Sequence, residues 1–160
     1  MRDVEFVGSS HDDLRAFPQV ARQRAGYQLH LVQSGQVPSD WKPMATVGPG
    51  CREARIRDAG DAYRGDAVTI KRYASVWDAL EDTPGEAENL KIRSTLMQEL
   101  TAHITRAGMT QSAAAQQFGV TQPRISDLMR GKIDLFSIDT LVNMLAAAGL
   151  KVDLRVRQAR

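Results

Sequence analysis

Thr110-Gln111-Ser112-Ala113-Ala114-Ala115-Gln116-Gln117-Phe118-Gly119 runs directly into Val120-Thr121-Gln122-Pro123-Arg124-Ile125-Ser126-Asp127-Leu128-Met129-Arg130-Gly131, and this stretch decides the fold. The first run reads as a short helix with Thr110 as its N-cap and Gly119 as its left-handed terminator. Val120 opens a tight turn, and Thr121 caps a second helix from Gln122 to Arg130 that stops at Gly131. Pro123 is tolerated there because first-turn amides have no intrahelical partner. With Gln111 as position one, Ala115 falls at five, Gly119 at nine, Ile125 at fifteen and Leu128 at eighteen. A small residue at five lets the second helix cross closely. Glycine at nine turns the chain at positive φ, and the two aliphatics anchor the second helix, which together is the pattern of a helix-turn-helix. The alternative is an ordinary helical hairpin in some other bundle.

A 3.6-residue rotation separates two faces of the second helix. Ile125, Leu128 and Met129 point inward, whereas Pro123, Ser126, Asp127 and Arg130 point away, with Arg124 on a flank and Gln122 at the N-terminal end. The outward types have base-reading chemistry. Gln pairs bidentately with adenine, Arg with guanine and Ser with several base edges, while Asp127 can accept from cytosine N4 or orient a neighbouring arginine. Gln111, Lys132 and the free amides at the helix N-termini suit phosphate. The site expected for duplex DNA is therefore Gln111, Thr121, Gln122, Pro123, Arg124, Ser126, Asp127, Arg130 and Lys132.

The flanking segments complete a helical bundle. Thr83-Pro84-Gly85-Glu86 combines a capping box with proline at the first helical position. The helix it opens should run to about Ala107 and end at Gly108, with Ile92, Leu96, Met97, Leu100 and Ile104 as its apolar stripe. Ser75, three residues before Asp78, starts a short helix through Ala79-Leu80, and Ser137 caps a helix carrying Leu141, Val142 and Leu145 up to Gly149. Lys151-Val152-Asp153-Leu154-Arg155-Val156-Arg157 alternates strictly, which is a strand pattern. Val152, Leu154 and Val156 are its apolar row. It has three possible mates: its symmetry copy, a strand of another protein, or a hairpin in the first part of this chain.

That first part is mixed. Val4-Glu5-Phe6-Val7 alternates like a strand, and Ser9 or Ser10 can cap a helix with Asp12 and Asp13 in its first turn. Pro18 opens a second helix to Gly35, on which Tyr27, Leu31 and His30 share a face and His30 reads as a packing residue. Pro38 to Gly50 reads as loop. Arg52 to Arg57 and Ala62-Tyr63-Arg64 read as a hairpin around Ala59-Gly60, and Val68-Thr69-Ile70 as the one further strand available.

Composition bounds the rest. The 160 residues are 42% hydrophobic and 25% charged, with Lys+Arg 21 against Asp+Glu 19, so there is apolar material for a core and no bulk cationic field. Asp78 to Glu99 is acidic and His103 to Ile133 basic, an asymmetry that orients a surface towards a polyanion. Cys51 alone makes neither an internal disulfide nor a zinc site, so no metal and no cofactor is expected. Apolar runs are short and the N-terminus carries acids where a signal peptide needs bases, which predicts a cytoplasmic protein with no membrane partner.

Residues from about Ala67 to Arg157 resemble HigA-type antitoxins of the XRE helix-turn-helix family. The likeness is carried by Tyr73-Ala74-Ser75-Val76-Trp77-Asp78-Ala79-Leu80, by Val120 to Leu128, and by Arg130-Gly131-Lys132-Ile133-Asp134-Leu135-Phe136. It implies a dimeric repressor of its own toxin-antitoxin operon that reads a palindromic operator with helix 122–130 and partners a HigB-type toxin. Residues 1 to about 64 resemble the front half of a HigB-type toxin, a RelE-superfamily messenger-RNA endonuclease, through Trp41-Lys42-Pro43-Met44, Val47-Gly48-Pro49-Gly50 and Arg52 to Asp58. In that resemblance Arg55, Arg57 and Arg64 are RNA-contacting positions. The strands expected after Arg64 are missing, implying a fused toxin that has lost its nuclease site.

The expected fold is mainly α: a five-helix XRE-type bundle with a C-terminal β-strand, preceded by a small α+β RelE-like fragment. The expected divisions are 1–64 for the toxin-like fragment, 65–82 for a linker with a short helix, and 83–160 for the DNA-binding domain. The expected function is sequence-specific transcriptional regulation, with no catalytic residue assigned and no enzymatic activity. The alternatives are an RNA-cleaving toxin, for which His11, His30 and the arginines offer no convincing cluster, and an interaction module that binds a separate toxin.

Overall fold

The computed structural model describes residues 1–39, 41–44, 46–47, 52–54 and 70–158. Strand β1 (Val4–Val7) leads into helix α1 (Ser10–Arg15) and helix α2 (Gln19–Gln33). Strands β2 (Trp41–Pro43), β3 (Arg52–Ala54) and β4 (Ile70–Tyr73) follow, then α3 (Val76–Leu80), α4 (Pro84–Arg106), α5 (Gln111–Phe118), α6 (Gln122–Met129), a 3-10 turn (Ile133–Leu135) and α7 (Ile138–Ala147). The fold is mainly helical, as the capping signals predict.

Several helix ends form for the reasons the sequence offers. The Thr83 hydroxyl accepts from the Glu86 amide at 3.2 Å and donates to the Glu86 carboxylate at 2.9 Å, which sets the start of α4. Ser75 accepts from the Trp77 amide and Ser137 from the Thr140 amide, satisfying first-turn donors of α3 and α7. Ser9 departs from expectation: its hydroxyl donates to the Asp13 carboxylate at 2.8 Å and makes no backbone cap.

The strands form two separate antiparallel pairs. β1 pairs with β4 in the register Val4↔Tyr73 to Val7↔Ile70, so the extended segment expected around Ile70 closes on the first strand of the chain. β2 pairs with β3 from Trp41↔Ala54 to Pro43↔Arg52. Trp41–Pro43 is thus strand where loop was expected. Composition around two prolines suggested loop, but a two-stranded ribbon is all edge and tolerates Pro43. The hairpin expected between Arg52–Arg57 and Ala62–Arg64 lies outside the described residues beyond Ala54, as do Cys51 and Val68-Thr69.

One apolar core runs through both halves of the chain, joining Phe6, Tyr27 and Leu31 to the helices from α3 onward. Trp77 is its centre, with 0% exposure, and its indole N–H donates to Ser94 Oγ at 3.0 Å. Gly26 on α2 makes room for that ring: a Cβ there would lie 2.5 Å from Trp77 Cζ3. His30, buried beside Trp77, is the packing residue expected, and burial holds its imidazole below the usual histidine range despite a hydrogen bond with Gln98. On α4, Leu96, Met97, Leu100 and Ile104 are buried as predicted, with Ala87, Leu90 and Ser94 beside them. Ile92 is exposed instead, because the stripe drifts round the 23-residue helix and leaves it on the flank.

Lys151 to Gln158 forms no strand. Alternation alone does not make a ladder, which needs a second strand to supply its hydrogen bonds. Val152 packs partly against the core, while Leu154 and Val156 are 77% and 98% exposed.

Candidate nucleic-acid interface

Helices α5 and α6 are joined by the turn the sequence dictates. The Thr110 hydroxyl accepts from the Ala113 amide at 3.1 Å, and Gly119 ends α5 in the left-handed region at φ 67°. Its amide and that of Val120 both return to the Ala115 carbonyl, closing the helix. Ala115 is buried where α6 crosses, and Ile125 and Leu128 are fully buried anchors. Thr121 caps α6 through its backbone carbonyl, which accepts from the Arg124 and Ile125 amides; its hydroxyl makes no cap, a departure from the sequence expectation. α6 ends at Met129, with Arg130 as its C-cap.

The anticipated polar residues stand along the outer side of this unit. Gln111, Thr121, Gln122, Pro123 and Arg130 are exposed, and Arg124, Ser126, Asp127 and Lys132 half-buried. Gln122 Nε2 approaches Gln111 Oε1 at 3.4 Å, bringing the N-terminal ends of the two helices together. One turn apart on α6, the Arg130 guanidinium donates to Ser126 Oγ from Nε at 3.2 Å and from Nη2 at 2.6 Å. Asp127 orients a lysine, with Lys132 Nζ 2.9 Å from its carboxylate. Arg124 lies back over the Phe136 ring, 4.3 Å from its centroid, and donates to the Leu135 carbonyl at 2.6 Å.

The turn after α6 carries more structure than its sequence announces. Three arginines converge on it. Besides Arg124, Arg93 of α4 donates to the Ile133 and Phe136 carbonyls at 3.4 and 3.3 Å. Arg24 of α2 holds Asp134 bidentately, Nε to Oδ1 at 2.7 Å and Nη2 to Oδ2 at 3.1 Å. The Tyr27 ring closes over Gly131, where a Cβ would lie 2.5 Å from Cδ1, and burial pushes the Tyr27 phenol well up. Ser39, held by Gln28, donates to the Arg130 carbonyl at 3.2 Å. Periodicity could not reveal these contacts, since Arg24 and Asp134 stand 110 residues apart.

The histidines named for a ribonuclease are both buried in packing roles. His11 stacks on Tyr73 at 5.2 Å with Nε2 2.8 Å from the Ala79 carbonyl oxygen, and Lys71 and Asp12 lie at its Nδ1. The Lys71 ammonium, with His11, holds the Asp12 carboxyl below the usual range. Among the described residues, no three His, Cys, Asp or Glu side chains gather to hold a metal, and no helix is long and apolar enough to cross a membrane.

Residues 79–157 match the family described as a helix-turn-helix domain, and residues 12–72 match the family described as phage derived protein Gp49-like. A solved structure named "Putative XRE Family Transcriptional Regulator" is 34% identical, with 46% of this chain and 82% of that chain covered at a TM-score of 0.43. No curated protein matches the chain.

Proposed function

We propose that this chain is a sequence-specific DNA-binding regulator of the antitoxin type that represses its own toxin-antitoxin operon. The observation that carries the reading is the polar row Gln122, Ser126 and Arg130 along α6, held outward by the buried anchors Ile125 and Leu128. In this reading α6 enters the major groove, Gln111 and Lys132 meet phosphates, and Gln122, Arg124, Ser126 and Arg130 read base edges. The match of residues 79–157 to a helix-turn-helix family, with a Gp49-like match ahead of it in the same chain, supports it.

The operator is palindromic and the chain a homodimer, with two copies of α6 roughly 34 Å apart. The exposed segment 151–157 supplies the dimer strand. Antiparallel pairing of two copies about Leu154 sets Asp153 opposite the partner's Arg155 and keeps Leu154 and Val156 on one face. The cytoplasm is the expected compartment, and a separate HigB-type toxin remains the protein partner. Selection of duplexes from a random library by the full chain tests this: enrichment of a palindrome is the expected result, and a library returned without enrichment overturns it.

A further inference from the structure

The last turn of α6 and the turn after it are braced by residues of the N-terminal half of the chain. Arg24 and Asp134, both largely buried, form a two-point pair that fixes direction as well as distance. Ser39 holds the carbonyl of Arg130, the residue whose guanidinium is the proposed guanine reader. Gln28 in turn fixes Ser39, accepting from its amide at 2.8 Å and donating to its hydroxyl at 2.8 Å. Tyr27 covers Gly131 one residue further on.

We propose that the N-terminal half of this chain tunes base recognition, with Arg24, Gln28 and Ser39 as positioning residues that set the pose of Arg130. The inference rests on the DNA-binding reading above. α6 has eight residues, about two turns, so a small tilt at its end carries the Arg130 guanidinium out of hydrogen-bond range of a base edge. Ile125 and Leu128 keep the helix docked without the brace, which makes the contribution one of aim more than of folding. The Gp49-like half thereby acts in cis on a surface it does not form.

The test uses the duplex enriched by the wild-type chain and its single-base variants. Arg24→Ala and Ser39→Ala should each bind the enriched duplex about tenfold more weakly, with unrelated duplex bound as before. The loss should concentrate at the base pair where Arg130→Ala loses discrimination, and Arg24→Asp combined with Asp134→Arg should restore it. Wild-type base profiles in both single variants overturn the proposal, as does a uniform loss at every position. Should Arg24→Ala fail to fold, Ser39→Ala, an exposed site, decides alone. An Arg130→Ala profile like the wild type removes the parent reading; an altered Arg130 profile with unaltered Arg24 and Ser39 profiles removes only this inference.

Discussion

The Arg124 guanidinium lies over the Phe136 ring at 4.3 Å and is anchored to the Leu135 carbonyl at 2.6 Å. A side chain on the flank of α6 thus also fastens that helix to the following turn. Arg124→Ala should lower stability by about 1 kcal/mol, a fall of about 2–4 °C in Tm, and weaken specific DNA binding by about 1–3 kcal/mol. Arg124→Lys keeps charge without the planar stack, so thermal melts should place it nearer the alanine variant. Full recovery by lysine would remove the stacking account.

The Arg130 side chain is exposed and pairs with Ser126 along the outer side of α6. Arg130→Ala should leave Tm within about 1–2 °C while specific affinity drops by about 1–3 kcal/mol. If about five phosphates are met per subunit, the log–log salt slope of the dimer should lie near −9. Gel shifts across a salt series check both quantities.

Gly119 and Gly131 both have positive φ, but their surroundings differ. Nothing lies within 4 Å of a Cβ at Gly119, whereas at Gly131 the Tyr27 ring is 2.5 Å away. Gly119→Ala should therefore cost only the left-handed strain, about 1–2 kcal/mol. Gly131→Ala adds displacement of a buried ring and should cost more. Urea denaturation of the two variants ranks them, and equal costs would show that Tyr27 moves aside freely.

Glu81 is buried against Arg22, whose Nη2 is 3.7 Å away, and its other oxygen has no hydrogen-bond partner. Burial raises its carboxyl above the usual range, outweighing attraction from Arg22 and Arg93, and the nearby Glu86 and Asp82 push the same way. A raised folded-state value means the native state binds the proton more tightly than the unfolded chain. The contribution of Glu81 to stability is full below the ordinary glutamate value of about 4.3 and is lost as pH rises through the folded value. Glu81→Gln should flatten the stability profile over that window and match or exceed wild type at neutral pH. An unchanged slope in denaturation from pH 4 upward (about one unit per step) would exclude this assignment.

Leu154 and Val156 stand in solvent at the end of the chain. Leu154→Asp should shift the chain from dimer to monomer in sedimentation and weaken binding to the palindrome while leaving Tm of the monomer unchanged. Asp153→Arg, which sets like charges opposite each other, should do the same more weakly. A dimer unaffected by both changes places the interface elsewhere.

The helix-turn-helix was legible because its determinants are local. Thr110, Gly119, Pro123 and the Ile125–Leu128 pair act over one or two turns, and capping, left-handed turns and amphipathic period leave marks at fixed spacing. The exposure of Gln122 and Arg130 was legible for the same reason, since the inward anchors of a two-turn helix determine which positions face out. The β2–β3 pair was missed because Trp41-Lys42-Pro43 is too short to show alternation and carries a proline. Its strand character comes from the partner. The exposed Ile92 was misplaced because a 23-residue helix is not held to a single stripe when its neighbours change along its length.

The sequence by itself determined the approximate helix limits and the inward and outward faces of the short helices α5 and α6, because these follow from interactions among near neighbours. Only the tertiary structure decided that α2 seats on the turn after α6, that Arg24, Arg93 and Arg124 converge there, and that Lys151 to Gln158 forms no strand within the chain. Such contacts join residues far apart in the chain. Their energies come from shape and burial at meeting surfaces, and no spacing along a single run of residues encodes which surfaces meet.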